Sequence, residues 1–346
     1  MNILLILAVV FGTLVLVRLA NVAAIASKLS EENEEAEQES ANRWNSIGML
    51  TFLIVGLITM FYLIDAYAPL MLPISASEHG VAIDELMSIN WIVLFITFLI
   101  TQILLFFFAF KYKFNKNRRS FYFHDNIKLE AIWTVIPTIV LASLIITGLQ
   151  EWNDITNKSD KMEGLKIQVY AKQFDFTARY AGADKNLGRS NFRLITDVNP
   201  LGVDSLDNTA SDDIISKELV MPKGAEVELV INSRDVIHSV YLPHFRVQMN
   251  AVPGMTTRFS FKPTLTTAEM QKETKNPKFE YVMLCNKVCG VAHYNMKMPV
   301  RVVEMAEYQE WLKSQPLVFP AASDAAAPAS SSATAEMMST STTGTN

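Results

Sequence analysis

The chain opens with four uncharged runs. Met1–Val17 is apolar as far as Arg18, and Leu19–Ser27 resumes beyond it. Ile47–Ile64 has 18 residues, Leu86–Phe110 has 25 and Ala131–Gln150 has 20. About 20 apolar residues cross a bilayer core, so the last three runs predict transmembrane helices over 47–66, 86–110 and 130–150. The first hydrophobic segment, 1–27, is expected as a retained helix or a secretory signal. It has no basic residue ahead of its apolar stretch, although Ala23-Ala24-Ile25-Ala26 offers small residues for cleavage.

The loops set an orientation. Residues 111–129 carry Lys111, Lys113, Lys116, Arg118, Arg119 and Lys128, whereas residues 69–87 carry no Lys or Arg. An excess of Lys and Arg marks cytoplasmic loops, so everything after Gln150 is expected outside the cytoplasm. The linker 28–46 has only Lys28 and Arg43 as basic residues and six glutamates between Glu31 and Glu39. Such a run reads as a solvated helix or a flexible segment.

Past Glu151 the pattern changes period. Leu165–Ala171, Phe174–Tyr180 and Glu226–Asn232 alternate apolar and polar residues, and Thr257–Phe261, Glu280–Leu284 and Met298–Val303 are further short strand candidates. Separated by Gly, Pro, Asn and Asp, they predict an all-β sandwich over 151–315 that ends in a short helix at 304–314. Ala, Ser and Thr make up 19 of the last 27 residues, so 316–346 is expected to be a low-complexity tail. The fold class is thus membrane-anchored α plus all-β.

Composition adds exclusions. Half of the 346 residues are hydrophobic and the mean hydropathy is +0.19, which fits lipid-facing segments. A formal charge of -5 argues against nucleic acid as a partner. Two cysteines exclude a disulfide-rich scaffold and a four-cysteine zinc site.

Both cysteines fall in the block Cys285-Asn286-Lys287-Val288-Cys289-Gly290-Val291-Ala292-His293-Tyr294-Asn295-Met296. Taken alone, the pair would favour a disulfide in an oxidising compartment. Two thiolates, an imidazole and a thioether within twelve residues form a soft donor set that suits copper. A distant histidine, His238 in Asp235-Val236-Ile237-His238-Ser239, is available at the end of a predicted strand. A mononuclear blue-copper site needs one cysteine, and the second at four-residue spacing lets two thiolates hold two metal ions side by side.

At this point the sequence resembles subunit II of the haem–copper cytochrome c oxidases. The match is Cys-x3-Cys-Gly-x2-His-x2-Met at 285–296, preceded by the His238 segment and by Val252-Pro253-Gly254; it covers about residues 86–312. The resemblance implies a periplasmic cupredoxin-like barrel with a binuclear CuA centre, anchored in a bacterial inner membrane. It implies that Cys285 and Cys289 bridge two coppers, that His238 and Met296 complete one, and that His293 and the backbone carbonyl of Lys287 complete the other. Such a centre takes electrons from a cytochrome c and passes them to the haem of subunit I. The chain has no Cys-x2-Cys-His haem-attachment motif, so haems, CuB and oxygen chemistry belong to partner subunits.

The stretch Glu130-x2-Trp133-Thr134-x2-Pro137 resembles the start of the family's second helix, where the glutamate marks a proton-uptake channel. Glu130 inherits that expectation, against the plainer one that an acidic residue favours a helix N-terminus. Two departures stand out. The family's Gln-Trp-Tyr-Trp run, whose first Trp receives the electron, is Gln173-Phe174-Asp175-Phe176 here, which moves the expected route to Phe174 and the expected donor to a membrane-bound or complex-associated cytochrome. The family's magnesium carboxylates are replaced by Lys287 and Asn250, so no magnesium is expected. The alternatives are a quinol-oxidase-type subunit with a structural role and a membrane-anchored copper carrier or sensor.

Overall fold

The computed structural model describes residues 2–27, 34–115, 117–156 and 164–319. Its elements divide into two compact units, one built from residues 1–72 and 89–137, the other from 73–88 and 138–346. In the first lie α1 (Asn2–Ser27), α2 (Glu34–Tyr67) and most of α3 (Glu78–Lys111). The fourth helix, α4 (Ile127–Thr156), begins in the first unit and ends in the second. Three of these helices, α2, α3 and α4, are long and apolar enough to cross a membrane, and they anchor the protein there.

Each helix outruns its apolar run. The acidic residues from Glu34 onward form the first turns of α2, while 28–33 lie outside the described residues. At the start of α4, Asn126 Oδ1 accepts the N–H groups of Lys128 and Leu129 at 3.1 Å, an N-cap that satisfies donors the helix itself leaves over.

The second unit is a two-sheet β-sandwich. One sheet has the order β3-β2-β1-β5-β8, made of Ile214–Ser216, Asp175–Tyr180, Leu165–Lys172, Val227–Ser233 and Thr257–Phe261. The other has the order β4-β10-β9-β6-β7, made of Leu219–Pro222, Lys297–Val303, Tyr281–Leu284, His238–Leu242 and Val247–Ala251. Strand β1 pairs in parallel with β5, as β10 does with β4, and the remaining pairs are antiparallel. Ile167, Val169, Phe176, Leu229 and Ile231 of the first sheet share one core with Val240, Leu242, Met283, Val300 and Val302 of the second. Fully burying a side chain of this size stabilises by about 1.5–3 kcal/mol. That shared core holds the sheets together.

The predicted strands are present to within two residues, but four were missed: β3, β4, β6 and β7. These are short, and apart from β7 their burial patterns do not alternate. A seven-residue helix, α5 (Thr267–Glu273), was also missed, and the C-terminal helix α6 covers Met305–Ser314. His238 opens β6 and does not end a strand, because Asp235–Ile237 form the preceding turn. Of the expected tail, Leu317 bridges to Ile214 and Val318 N–H donates to the Asp213 carbonyl; 320–346 lie outside the described residues.

Residues 73–88, most of the loop expected between the second and third spans, belong to the β unit. Ala76 N–H donates to the His244 carbonyl at 2.7 Å, and Ser77 Oγ donates to the Phe245 carbonyl at 2.7 Å. Arg246 holds both carboxylate oxygens of Asp84 at 2.8 Å. Ile155, near the end of α4, is buried in the same core. The β unit is therefore tied directly to the first turns of α3 and the last turn of α4.

A second polar tie is fully buried. Arg179 on β2 donates to Gln168, Asp213 and the Gly188 carbonyl, at 2.7, 3.0 and 2.9 Å. Removing one partner would strand the other charge, at about 3–5 kcal/mol. Desolvation pushes the Asp213 carboxyl up to about 6, with the Arg179 guanidinium and the Gly188 N–H opposing it. The folded state thus holds this proton more tightly than the unfolded chain, where the ordinary value is 3.8. The stabilisation from this proton is complete below about pH 4 and is lost as pH rises through about 6. Thermal melts of the full-length chain between pH 4 and 7 should show this fall. In Asp213→Asn it should flatten even though the absolute midpoint drops; an unchanged slope would contradict the assignment.

Candidate metal centre

Strands β9 and β10 form a hairpin whose connecting loop, 285–296, is closed at its base. Cys285 N–H donates to the Met296 carbonyl at 3.1 Å, directly beyond the Leu284–Lys297 pair. This closure turns Cys285, Cys289 and Met296 inward, where they join the sandwich core. His238 enters from the neighbouring strand β6 and has no exposed surface.

The donor atoms converge. The two Sγ atoms are 3.9 Å apart and both cysteines are free, whereas a disulfide needs about 2.05 Å. His238 Nδ1 lies 4.0 Å from Cys285 Sγ, and His293 Nδ1 lies 3.6 Å from Cys289 Sγ. Met296 Sδ is 3.8 Å from Cys289 Sγ, and the Lys287 carbonyl oxygen is 3.3 Å from Cys285 Sγ. The ligating atoms of His238, Cys285 and Cys289 all lie within 4.8 Å of one another. Metal–thiolate bonds are about 2.3 Å long, so one ion can reach both sulfurs. All six donors singled out from the sequence meet here. Their softness fits copper.

The surroundings prepare these groups. Asp235 Oδ1 takes a hydrogen bond from His238 Nε2 at 2.7 Å, which fixes the tautomer and leaves the Nδ1 lone pair toward Cys285. Partial burial raises the Asp235 carboxyl, but N–H bonds from Gln173 and Val236 and the contact with His238 outweigh it and hold the group below the ordinary range. Desolvation, with Cys285 adding to it, pushes the Cys289 thiol up to about 11. Cys289 is therefore protonated at neutral pH until a metal displaces its proton.

Three contributors went unnoticed in the sequence. Gln173 N–H donates to Asp235 Oδ2 at 2.7 Å and its Nε2 donates to the Cys289 carbonyl at 2.5 Å, so one residue of the β1–β2 turn braces both ligand segments. Asp235, three residues before His238, was visible only as part of a motif. Gly290 has φ +141°, and a Cβ there would come within 2.8 Å of the Phe174 ring. No side chain fits between them. Phe174 is half-buried, set against the turn that follows Cys289.

Several outward residues of the same loop are apolar, among the exposed Asn286, Lys287 and Asn295. Val288, Val291 and Tyr294 are each about nine-tenths exposed, with Ile237 half-exposed on the adjoining turn. The Lys287 side chain also faces solvent. Glu130 is not part of this centre. It stands exposed in the first turn of α4, in the membrane-helix unit, with its N–H on the Asn126 carbonyl at 2.9 Å.

Comparison with known proteins adds a lineage. Residues 190–304 match the family model described as cytochrome c oxidase subunit II, periplasmic domain, and residues 59–150 match the one for its transmembrane domain. The alternative cytochrome c oxidase subunit 2 of Bradyrhizobium diazoefficiens is 31% identical over 239 residues, 67% of this chain and 80% of that protein. Cytochrome c oxidase subunit 2 of Thermostichus vulcanus is 27% identical over 266 residues, 70% and 77% of the two. The crystal structure of the periplasmic domain of subunit II of cytochrome oxidase of Bradyrhizobium japonicum is 24% identical, covering 44% of this chain and 94% of that one, with a TM-score of 0.29.

Proposed function

Because the chain belongs to the cytochrome c oxidase subunit II family, we propose that it is the electron-accepting subunit of a respiratory haem–copper oxidase in a bacterial inner membrane. The observation that carries this reading is the convergence of six soft or neutral donors around two unbonded thiols. Cys285 and Cys289 would bridge two copper ions, His238 and Met296 would complete one, and His293 with the Lys287 carbonyl the other. When bound, the pair would supply a one-electron store whose charge is shared between two metals.

The residues here suit a centre that changes little as an electron comes and goes. His238 is held from behind by Asp235, and the loop base is closed by Cys285 and Met296. Burial of both sulfurs and of the His238 ring keeps water from the donor atoms. None of these groups is placed to make or break bonds in a substrate. Oxygen reduction and proton pumping fall to partner subunits that carry haems and a further copper, with the β unit on the periplasmic side. Expressed alone, the full-length chain should bind two copper ions and show a purple mixed-valence absorption. Cys285→Ser and Cys289→Ser should each abolish it, whereas Met296→Leu should shift the potential and keep the band, a thioether being a weak ligand. One copper or one zinc per chain would sink the binuclear assignment.

Glu130 is our candidate for proton uptake, on the strength of an ionisable side chain at the edge of a membrane span. Glu130→Gln should slow turnover of the intact complex while copper content and the first electron transfer stay as in wild type. Unchanged turnover would return Glu130 to a helix-terminus role.

Electrons would enter over Phe174 and the apolar ridge of Val288, Val291 and Tyr294. An apolar ridge works by close contact more than by long-range steering, which favours a donor held nearby at high effective concentration, such as a membrane-bound or complex-associated cytochrome c. Oxidation of a small soluble cytochrome c by the enzyme freed of its partners should be slow and weakly salt-dependent. Fast turnover that falls steeply with ionic strength would overturn the tethered-donor reading.

A further inference from the structure

The membrane unit holds a groove that electron transfer does not use. Its volume is about 1420 Å³, and Leu14 of α1, Phe52, Val55 and Leu63 of α2 and Phe106 of α3 form its apolar wall. Phe52 and Phe106 touch ring to ring across α2 and α3, with centroids 5.8 Å apart. Lining residues run from Trp44 to Tyr67 along α2, about 35 Å at 1.5 Å per residue, so the groove follows the hydrocarbon thickness of a bilayer.

Its two ends differ. At the Met71 end the lining residues are uncharged. At the other, Arg18 of α1 lies over α2: its Nη1 donates to Asn45 Oδ1 at 3.2 Å, and a Cβ on Gly48 would lie 3.8 Å from its Nη2. Trp44 lines the groove at the same level, and indoles favour the headgroup region of a membrane. Lys113, beyond the end of α3, donates to Ser46 Oγ at 3.1 Å, which brings a second cation to this level. Arg118 donates to the carbonyls of Lys111 and Lys113, at 3.0 and 2.9 Å, adding a third close by.

A charge set inside an apolar helix is costly in a bilayer unless it meets a partner. A guanidinium has five donors in a planar fork, enough to keep the Asn45 bond and still grip a phosphate. We propose that this groove holds an anionic phospholipid, its phosphate on Arg18 beside Trp44 and Lys113 and its acyl chain along α2. The alternatives divide cleanly. A partner helix would cover the apolar wall but needs no cation at one end, whereas a zwitterionic lipid carries its own positive charge into a region already basic.

The test uses the intact oxidase, purified in mild detergent from membranes containing phosphatidylethanolamine and phosphatidylglycerol. Mass spectrometry of the retained lipid should find anionic phospholipid bound to wild type and to Arg18→Lys, which keeps the charge. Retention should fall at least severalfold in Arg18→Gln and stay at the wild-type level in Arg119→Gln, a control in the basic segment after α3 that does not line the groove. Equal anionic lipid in Arg18→Gln and wild type would overturn the proposal. So would an equal loss in Arg119→Gln, which would mean diffuse surface charge, or a transmembrane helix of another subunit seen in the groove of the purified complex.

Discussion

Two sulfur atoms held 3.9 Å apart, unbonded and shut off from water, constrain everything around them. To bind metal both must lose a proton, yet two thiolates this close in a low-dielectric core repel strongly. The raised Cys289 thiol expresses its burial first and that repulsion second. Only cations placed between the sulfurs resolve it. Asp235 sharpens the demand, because it adds a further negative charge behind His238. Metal affinity and the folded geometry of the loop are therefore a single quantity, each strengthened by the other.

That geometry is supplied by parts of the chain far apart in sequence. Gln173 from the β1–β2 turn joins Asp235 to the Cys289 carbonyl, and β6 delivers His238. On the membrane side, Arg246 has a left-handed backbone, φ +53°, which costs a residue with a side chain about 1–3 kcal/mol. Its two-pronged bond to Asp84 and its bond to the Pro73 carbonyl offset that cost, and they lock the first turns of α3 and the segment before it to the β unit. The sandwich is thus bolted to its own helix ends as well as covalently attached to them.

Legibility in the sequence followed the physics of each feature. Lipid imposes a length and an apolarity that no neighbour modifies, so the three spans were readable as runs. The five side-chain donors were readable because Cys, His and Met are the residue types a soft metal favours, and four of them fall within twelve positions. The helix extensions at Glu34, Glu78 and Thr156 were not, since capping and packing beyond the apolar run decide them. Strands β4 and β6 are buried on both faces and lose the alternation that would have betrayed them. Gln173 and Gly290 were hidden for a different reason. Their work is to fit one segment against another, and no local pattern records which segments meet.

The ligand loop itself shows how two demands are kept apart. Its inward residues, Cys285, Cys289 and Met296, are packed into the core with their sulfur atoms facing one another. Its outward residues, Val288, Val291 and Tyr294, touch neither and are set by whatever approaches the surface. Lys287 carries the separation furthest. Its donor is a backbone carbonyl, which any residue would provide, while its side chain points to solvent and contributes only charge. A change at these outward positions alters the face offered to an electron donor without touching a donor atom. The arrangement of donor atoms can therefore stay constant while the surface above it changes.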